Sequence, residues 1–522
     1  MKNMINTIVL NSSNNVNVVL IAIVLLYFIK SWFFSTLIFL IFRHIINNNY
    51  KKNNKERNFK MNNNLILDYN EKPKKISQWL LLSFQHVFAM FSATVLVPLL
   101  TGLPISAALF ASGIGTLIYI LLTKKKVPIY LGSSFAYITY IQTAAIYLSD
   151  GKTVASFGPA MTGLLVVGLI YVIVALVIKF VGVRWLEKLL PPVVVGPMII
   201  VIGLGLASSA VTNADIIAGG DWRNIVIAIF TVLVIAFCSI KGKGFLKVIP
   251  FLIGIVAGYI LALCLNKAGS TNILNFNDLV EVAKNPGKWF ALPKFMFLGW
   301  KDAELGAGLS MTKISFAGVL SVIPLAFATI SEHVGDHEVL GNITGYNYLE
   351  EPGLHRTLMG DGIATAVAAL IGGPANTSYG ENTSVVGMTK VGSVWVTGGA
   401  ACIAIILSFI NIFTTFIATI PGAVMGGVCL ILYGFIASNG LKVLHEKNVD
   451  FGSTRNMIII SVMLVIGLGG ATIKISEISS LSGMALAMIF GIVLNLILPK
   501  EKVEVKETSN DQEEDEETPI EE

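Results

Sequence analysis

From Gln78 onward the chain is a succession of apolar runs, each about twenty residues long, separated by short stretches where charge, proline and glycine gather. A run of that length crosses a hydrocarbon core of roughly 30 Å as a helix. The pattern predicts an all-α polytopic membrane protein. Two runs depart from it. The third opens Pro128-Ile129-Tyr130-Leu131-Gly132-Ser133-Ser134-Phe135, and the tenth opens Pro374-Ala375-Asn376-Thr377-Ser378-Tyr379-Gly380-Glu381-Asn382. Each begins with proline and several small, polar or β-favouring residues before a helical pattern resumes, so each reads as an extended stretch leading into a half-helix. A second matched pair, Pro191-Pro192-Val193-Val194-Val195-Gly196-Pro197 and Pro421-Gly422-Ala423-Val424-Met425-Gly426-Gly427, opens the fifth and twelfth runs. The members of both pairs lie seven runs apart. Seven is odd, so the second copy crosses in the opposite direction, as an inverted repeat requires.

Non-helical backbone at membrane depth survives only where protein buries it or a wet cavity is lined by it. Broken segments at corresponding positions of two halves point to a transporter binding site. With the halves inverted, the two half-helix N-termini are expected to face each other near the midplane, where free N–H groups and partial positive charge hold electronegative atoms.

Composition agrees: 54% of residues are hydrophobic and only 13% charged, with a net charge of +5. Lysine and arginine gather in alternate loops, at Lys72, Lys74 and Lys75, at Lys124 to Lys126, at Arg184 and Lys188, and at Lys241, Lys243 and Lys247. The positive-inside rule makes these loops cytoplasmic. The loop from about Asn266 to Lys313 then lies outside, and the C-terminus lies in the cytoplasm. Residues 500–522 are acidic and read as a solvated, disordered tail. Cys238, Cys264, Cys402 and Cys429 sit in or at the ends of apolar runs and read as small core residues. The N-terminal extension, residues 1–75, holds an apolar run from about Val16 to Phe42 and a basic linker. Two readings of it carry equal weight: an extra transmembrane helix, or sequence upstream of a start at Met61.

Carboxylates at membrane depth are expensive and are functional sites by default. Glu332 and Asp336, four apart at the end of a long apolar run, share one helical face if the helix continues that far. Glu381 opens the tenth-run half-helix, where an acid suits the dipole. The functional reading brings these acids together in a central cavity. The alternative leaves Asp336 at the cytoplasmic surface and Glu381 as a helix-terminus acid. His333 and His337 are spaced like a metal pair, but Glu332 precedes the first histidine and no third ligand is evident, so no metal site is expected. His86, in the first run after Gln78, is either a structural histidine or one that polarises the site. Tyr433 faces either the cavity or the lipid interface. Gly132 and Gly380 read as points of close backbone approach, and Asn376 and Asn382 as caps for freed backbone groups. No nucleophile–base pair is apparent, so an enzyme is not expected.

Five segments carry a resemblance. Gln85-His86-Val87-Phe88-Ala89-Met90-Phe91, Gly132-Ser133-Ser134-Phe135-Ala136, Glu332-His333-Val334-Gly335, Glu351-Pro352-Gly353-Leu354-His355-Arg356 and Asn376-Thr377-Ser378-Tyr379-Gly380-Glu381-Asn382 resemble bacterial uracil permeases. These belong to the nucleobase:cation symporter-2, or nucleobase/ascorbate transporter, family. The resemblance covers about Ile76 to Lys500. It implies fourteen transmembrane segments in two inverted repeats of seven, with segments three and ten partly extended. It implies a core domain from 76–185 and 314–420. It also implies a gate domain from 186–313, which includes the external loop, and 421–499, through which the protein dimerises. By resemblance Glu332 and Glu381 bind substrate, backbone groups at Phe135 and Gly380 complete the site, and His86 and Tyr379 support it. Asp336 is a further substrate-binding candidate, and Asn382 and Tyr433 join His86 and Tyr379 as candidates for support or proton coupling. A well-known proton-coupled member carries histidine where Asp336 stands, and the tenth-segment signature usually has glycine where Ser384 stands.

The implied activity is uracil import across a bacterial plasma membrane coupled to protons, with sodium as the alternative ion and no cofactor or nucleic-acid partner. A xanthine or other purine symporter is the runner-up, although Glu381, where purine transporters commonly carry glutamine, favours uracil. Sulfate and bicarbonate transporters share the fold, but two buried glutamates do not suit an anion unless they are protonated.

Overall fold

The computed structural model describes residues 65–147, 154–247, 249–267, 272–296, 316–476 and 479–499. The N-terminal apolar run, the basic linker, the acidic tail and much of the loop from about Asn266 to Lys313 lie outside the described residues.

Apolar helices dominate. Helix α1 spans Ile76–Thr101 and α2 spans Ile105–Leu122. Gly102 between them takes a left-handed conformation at φ 80° and sends its N–H to Pro98, the closing turn that glycine tolerates best. After α2 the chain runs extended as β1 (Leu131–Ser133), makes a single tight turn at Phe135–Tyr137, and continues as the short α3 (Ile138–Ala144). Helices α4 (Gly158–Val181), α5 (Arg184–Leu189) and α6 (Pro192–Leu204) follow. Proline in the first turn of α4 and α6 costs no hydrogen bond there.

Next come α7 (Ala207–Asn213), α8 (Trp222–Lys241), α9 (Pro250–Leu265) and the surface helix α10 (Asn277–Lys284). The long α11 spans Phe316–Thr344 and α12 spans Leu354–Ile371. A second extended stretch, Asn376–Ser378, leads into α13 (Gly380–Thr389). The chain ends with α14 (Val394–Ser408), α15 (Asn411–Ala418), α16 (Gly422–Glu446), α17 (Thr454–Leu468) and α18 (Gly483–Ile497). Short hairpins precede α4 and α18, so the second extended stretch is β4 in chain order. Among the described residues six helical spans are long and apolar enough to cross a bilayer, one of them α6 and α7 taken together as Pro192–Asn213, and four shorter helices are also apolar.

The helices pack in two groups. In one, α4 lies on α12, and α2 lies on both α12 and α14. In the other, α6 lies on α16, and α8 on α9 and α16. Backbone meets backbone in both. A methyl on Gly168 of α4 would come 2.5 Å from the Gly362 carbonyl of α12, and one on Gly440 of α16 would come 2.5 Å from the Gly196 carbonyl of α6. Small residues at such crossings let van der Waals contact hold helices together where lipid offers no hydrophobic drive. Helix α11 touches both groups, through α4 on one side and α18 on the other.

The two broken segments meet. β1 and β4 pair antiparallel, Leu131 opposite Ser378, Gly132 opposite Thr377 and Ser133 opposite Asn376. Ser134 N–H to Ala375 O (2.8 Å) and Tyr379 N–H to Tyr130 O (3.1 Å) extend the ladder at both ends. Antiparallel pairing makes α3 and α13 leave from opposite ends, so both helices have their N-termini towards the ladder.

Residues ahead of α1 dock beside the end of α13. Gly392 N–H donates to Leu67 O (2.9 Å), Val394 N–H donates to Tyr69 O (3.0 Å), and Lys72 Nζ sits 3.7 Å over the Trp395 ring.

Candidate functional site

The ladder between β1 and β4 is held from outside by polar side chains of α2 and α12. Ser112 and Thr116 on α2 donate to Leu131 O at 2.9 and 3.2 Å, and Leu131 N–H donates back to Thr116 Oγ1 at 2.9 Å. Asn376 Nδ2 donates to Ala111 O (3.1 Å) and Ala364 O (3.4 Å), while Thr365 donates to Asn376 O (3.0 Å). Asn376 therefore caps carbonyls of neighbouring helices and pins β4 between them.

Tyr379 closes the ladder. Its hydroxyl donates to Ser133 O at 2.9 Å and accepts from Thr94 Oγ1 at 3.3 Å, joining β4, β1 and α1. This needs Gly132: a methyl there would lie 2.2 Å from the Tyr379 ring. Gly132 is the expected point of close approach, and what approaches it is a side chain. Gly380 is different. It is exposed, and a methyl on it would meet nothing within 4 Å. The N-terminus of α13 opens onto free space.

Glu381 follows Gly380 in the first turn of α13 and is half-buried. Asn382 turns away from the opening. Its Nδ2 donates to His86 O at 3.0 Å and lies 3.1 Å from His86 Nδ1. Asn382 is not a cap for its own helix; it is a strut to α1, because His86 at 1% exposure presents two acceptors to one amide. Phe135, half-buried, begins the turn after β1 and packs against clusters that include Leu96, Ile138 and Tyr130. Ser384 Oγ donates back to Gly380 O at 2.9 Å, so the hydroxyl is absorbed within α13.

Glu332, Gly335, Asp336 and Val339 of α11 line a cavity of about 780 Å³, whose other walls include Val195 and Ile199 of α6, Leu354 of α12 and Ile436 of α16. Glu332 is exposed to that space and Asp336 is half-buried one turn on. Glu332, Asp336 and Glu381 lie within electrostatic reach of one another. Helix α11 does continue past Asp336, which is what puts both of its acids on one face. Lys442, Glu446 and Lys447 line the same cavity towards the end of α16.

Tyr433 meets neither expected surroundings. At 2% exposure it sits in an apolar cluster with Leu96, Ile138, Val428 and Leu432, against which Phe135 packs. Leu96 of α1 and Ile138 of α3 join it in that cluster, a neighbourhood that the spacing of one helix cannot reveal.

His333 and His337 point away from the cavity and have protein partners. His333 Nδ1 lies 2.9 Å from Asp361 Oδ2 of α12, with both side chains fully buried. His337 Nε2 lies 2.5 Å from the Tyr119 hydroxyl of α2. The described residues hold no group of three or more ligands able to bind a metal. Asp361 was missed from the sequence. Its only signal was an acid in an apolar run, Gly360-Asp361-Gly362-Ile363-Ala364, the same signal that marked Glu332.

Residues 77–476 match the model of a family described as the Permease family. The chain is 47% identical to a uracil permease of Bacillus caldolyticus over 84% of this chain and 95% of that one. It is 39% identical to a uracil permease of Escherichia coli strain K12, over 82% and 92%. Among solved structures it resembles the transmembrane domain of a cyanobacterium bicarbonate transporter, with a TM-score of 0.54 at 15% identity, covering 82% of this chain and 100% of that chain; at that identity the likeness speaks for the fold alone. A multi-pass membrane protein with two paired broken segments, matched over most of its length by these relatives, this chain belongs to the Permease family and is a transporter, not an enzyme.

Proposed function

We propose that this permease imports uracil across the bacterial plasma membrane together with protons. The observation that carries the reading is the opening at Gly380. There a half-helix N-terminus, with Glu381 in its first turn, faces free space within electrostatic reach of Glu332 on α11. Uracil offers N–H donors flanked by carbonyl acceptors. Carboxylates at Glu332 and Glu381 accept from the former, and free backbone N–H groups at Gly380 and Phe135 donate to the latter. A site that pairs such groups discriminates against analogues that leave them unmatched. His86, Tyr379 and Asn382 hold the frame, and Tyr433 supports Phe135 from behind. The names of the relatives at 47% and 39% identity support the same substrate.

In this reading the chain crosses the membrane fourteen times as two inverted halves of seven. The antiparallel meeting of the third and tenth segments, and the packing of the fifth on the twelfth through Gly196 and Gly440, support it. The group holding α1 to α4 and α11 to α14 is the core, and the group holding α6 to α9 and α16 to α18 is the gate, through which two copies pair. The C-terminus is cytoplasmic, and the cavity rimmed by Lys442 and Lys447 opens to the cytoplasm. A proton taken up at Glu332 or its acidic neighbours accompanies the substrate, and rocking of core against gate carries both.

Uptake of labelled uracil, xanthine and sulfate into proteoliposomes, under imposed proton and then sodium gradients, tests the assignment. Uracil uptake driven by protons is expected. Glu381→Gln is expected to abolish saturable uracil uptake, and retention of it rules out that residue's role. Glu332→Gln is expected to leave uptake indifferent to the pH gradient; an unchanged pH dependence counts against it.

A further inference from the structure

Helix α11 has two polar faces. One carries Glu332 and Asp336 into the cavity. The other carries Thr329, His333 and His337, spaced four apart, into a dry interior where none is more than 1% exposed. Each of the three meets a partner on a different element. Thr329 Oγ1 lies 2.7 Å from the hydroxyl of Tyr137, which follows β1. His333 pairs with Asp361 of α12, and Ser378 of β4 lies 3.4 Å from the same ring nitrogen. His337 meets Tyr119 of α2. The two imidazoles lie 4.0 Å apart between ring centres.

The hydrogens on this face follow from chemistry. His337 Nδ1 is 2.6 Å from the His333 carbonyl, and an oxygen there only accepts, so Nδ1 carries the proton. In the neutral ring Nε2 is then the acceptor, and the Tyr119 hydroxyl donates to it. Tyr119 is itself wedged in place, since a methyl on Gly360 of α12 would lie 2.8 Å from its ring. Three successive turns of α11 are thus each fastened to a neighbour, and the fastening fixes both the rotation of the helix and its height.

We propose that this ladder of Tyr137, Asp361 and Tyr119 is a positioning device: acting through Thr329, His333 and His337, it aims Glu332 and Asp336 at the substrate opening. The proposal rests on the assignment of Glu332 to the binding site. A turn of α11 by one residue would carry the acids off the cavity wall and bring the histidines towards water. Geometry at a binding site must hold to about half an ångström, so small slips cost affinity heavily.

The test needs a readout of helix orientation that does not depend on the substrate. Gly335 lines the cavity, and a side chain there meets nothing within 4 Å. Gly335→Cys, with Cys238, Cys264 and Cys402 replaced by serine and buried Cys429 left in place, gives a single reactive thiol on the acid face. Its rate of labelling by a water-soluble maleimide is measured in the full-length protein, alone and with Tyr119→Phe, Asp361→Leu or Asp361→Asn added. Asparagine keeps an oxygen for His333 Nδ1–H; leucine does not. Ser482→Ala, at the N-cap of α18, serves as the control for general loosening.

Tyr119→Phe and Asp361→Leu are expected to change the labelling rate by on the order of fivefold or more, with Asp361→Asn and Ser482→Ala within about twofold. In the cysteine-containing protein, the first two are expected to raise the KM for uracil by about tenfold while Vmax is retained. Unchanged labelling in both Tyr119→Phe and Asp361→Leu overturns the proposal. So does an Asp361→Asn variant that labels like Asp361→Leu, since charge rather than the hydrogen bond would then be at work. A parent protein that takes up no uracil but labels as expected overturns the uracil assignment and leaves the ladder standing.

Discussion

An alanine at Gly132 and an alanine at Gly380 add the same methyl to the two broken segments, with opposite expected results. At Gly132 the methyl falls 2.2 Å from the Tyr379 ring. The ring has to move, losing its bond to Ser133 O, and overpacking of this kind costs about 1–3 kcal/mol. Gly132→Ala is expected to lower both thermal stability and uracil uptake. At Gly380 nothing lies within 4 Å. Gly380→Ala is expected to unfold at the temperature of the unmodified protein yet to raise the KM for uracil by about tenfold, because the methyl takes up substrate space. Thermal unfolding in detergent and uptake kinetics separate the two. From sequence these glycines looked alike, since both sit in small-residue runs after proline. What tells them apart is what stands opposite, and that is a tertiary fact. Glu332 and Glu381 stand out in the sequence because a carboxylate in an apolar run is rare and costly, and their part in binding is the proposal made above. Asp361 gave the same signal and was passed over, because no broken segment or motif drew attention to it.

Helix ends show how much of the architecture is written locally. Ser453 accepts from Asn456 N–H at 3.3 Å and Ser482 from Ala485 N–H at 3.4 Å, satisfying donors that α17 and α18 cannot satisfy themselves. Ser453→Ala and Ser482→Ala are each expected to cost about 1 kcal/mol of stability with transport unaffected, measured by thermal unfolding and uptake. Such caps, and the long apolar runs they bound, can be recognised one segment at a time. The extended stretches at 131–133 and 376–378 were also readable, because proline followed by small and β-favouring residues cannot begin a helix well. Their register was not. Leu131 faces Ser378 only because α2 and α12 hold the strands from outside, and those contacts join residues far apart in the chain. The short helices α5, α10 and α15 were invisible for a similar reason: each is too short for periodicity to emerge.

On the scale of the whole molecule, the cavity lies between the two groups of helices, and two of its lining residues, Lys447 after α16 and Glu338 of α11, form an ion pair at 3.2 Å. Both partners are largely exposed, and such pairs contribute about 0–1 kcal/mol. Lys447→Ala is therefore expected to change uptake by no more than about fivefold, with the difference fading as salt is raised. Ile199→Trp, on the α6 wall, fills the room itself and is expected to reduce uptake by on the order of tenfold or more. The cavity was not legible in the sequence, since a space between helices is defined by pairs of surfaces. The strand pair at the centre constrains how that space changes. Its backbone groups have no water to turn to, and parting them would cost on the order of a few kcal/mol for each one abandoned. In the transport cycle proposed above, cargo held at this junction would ride on a carriage that does not come apart, and the door would be the seam between the two groups of helices.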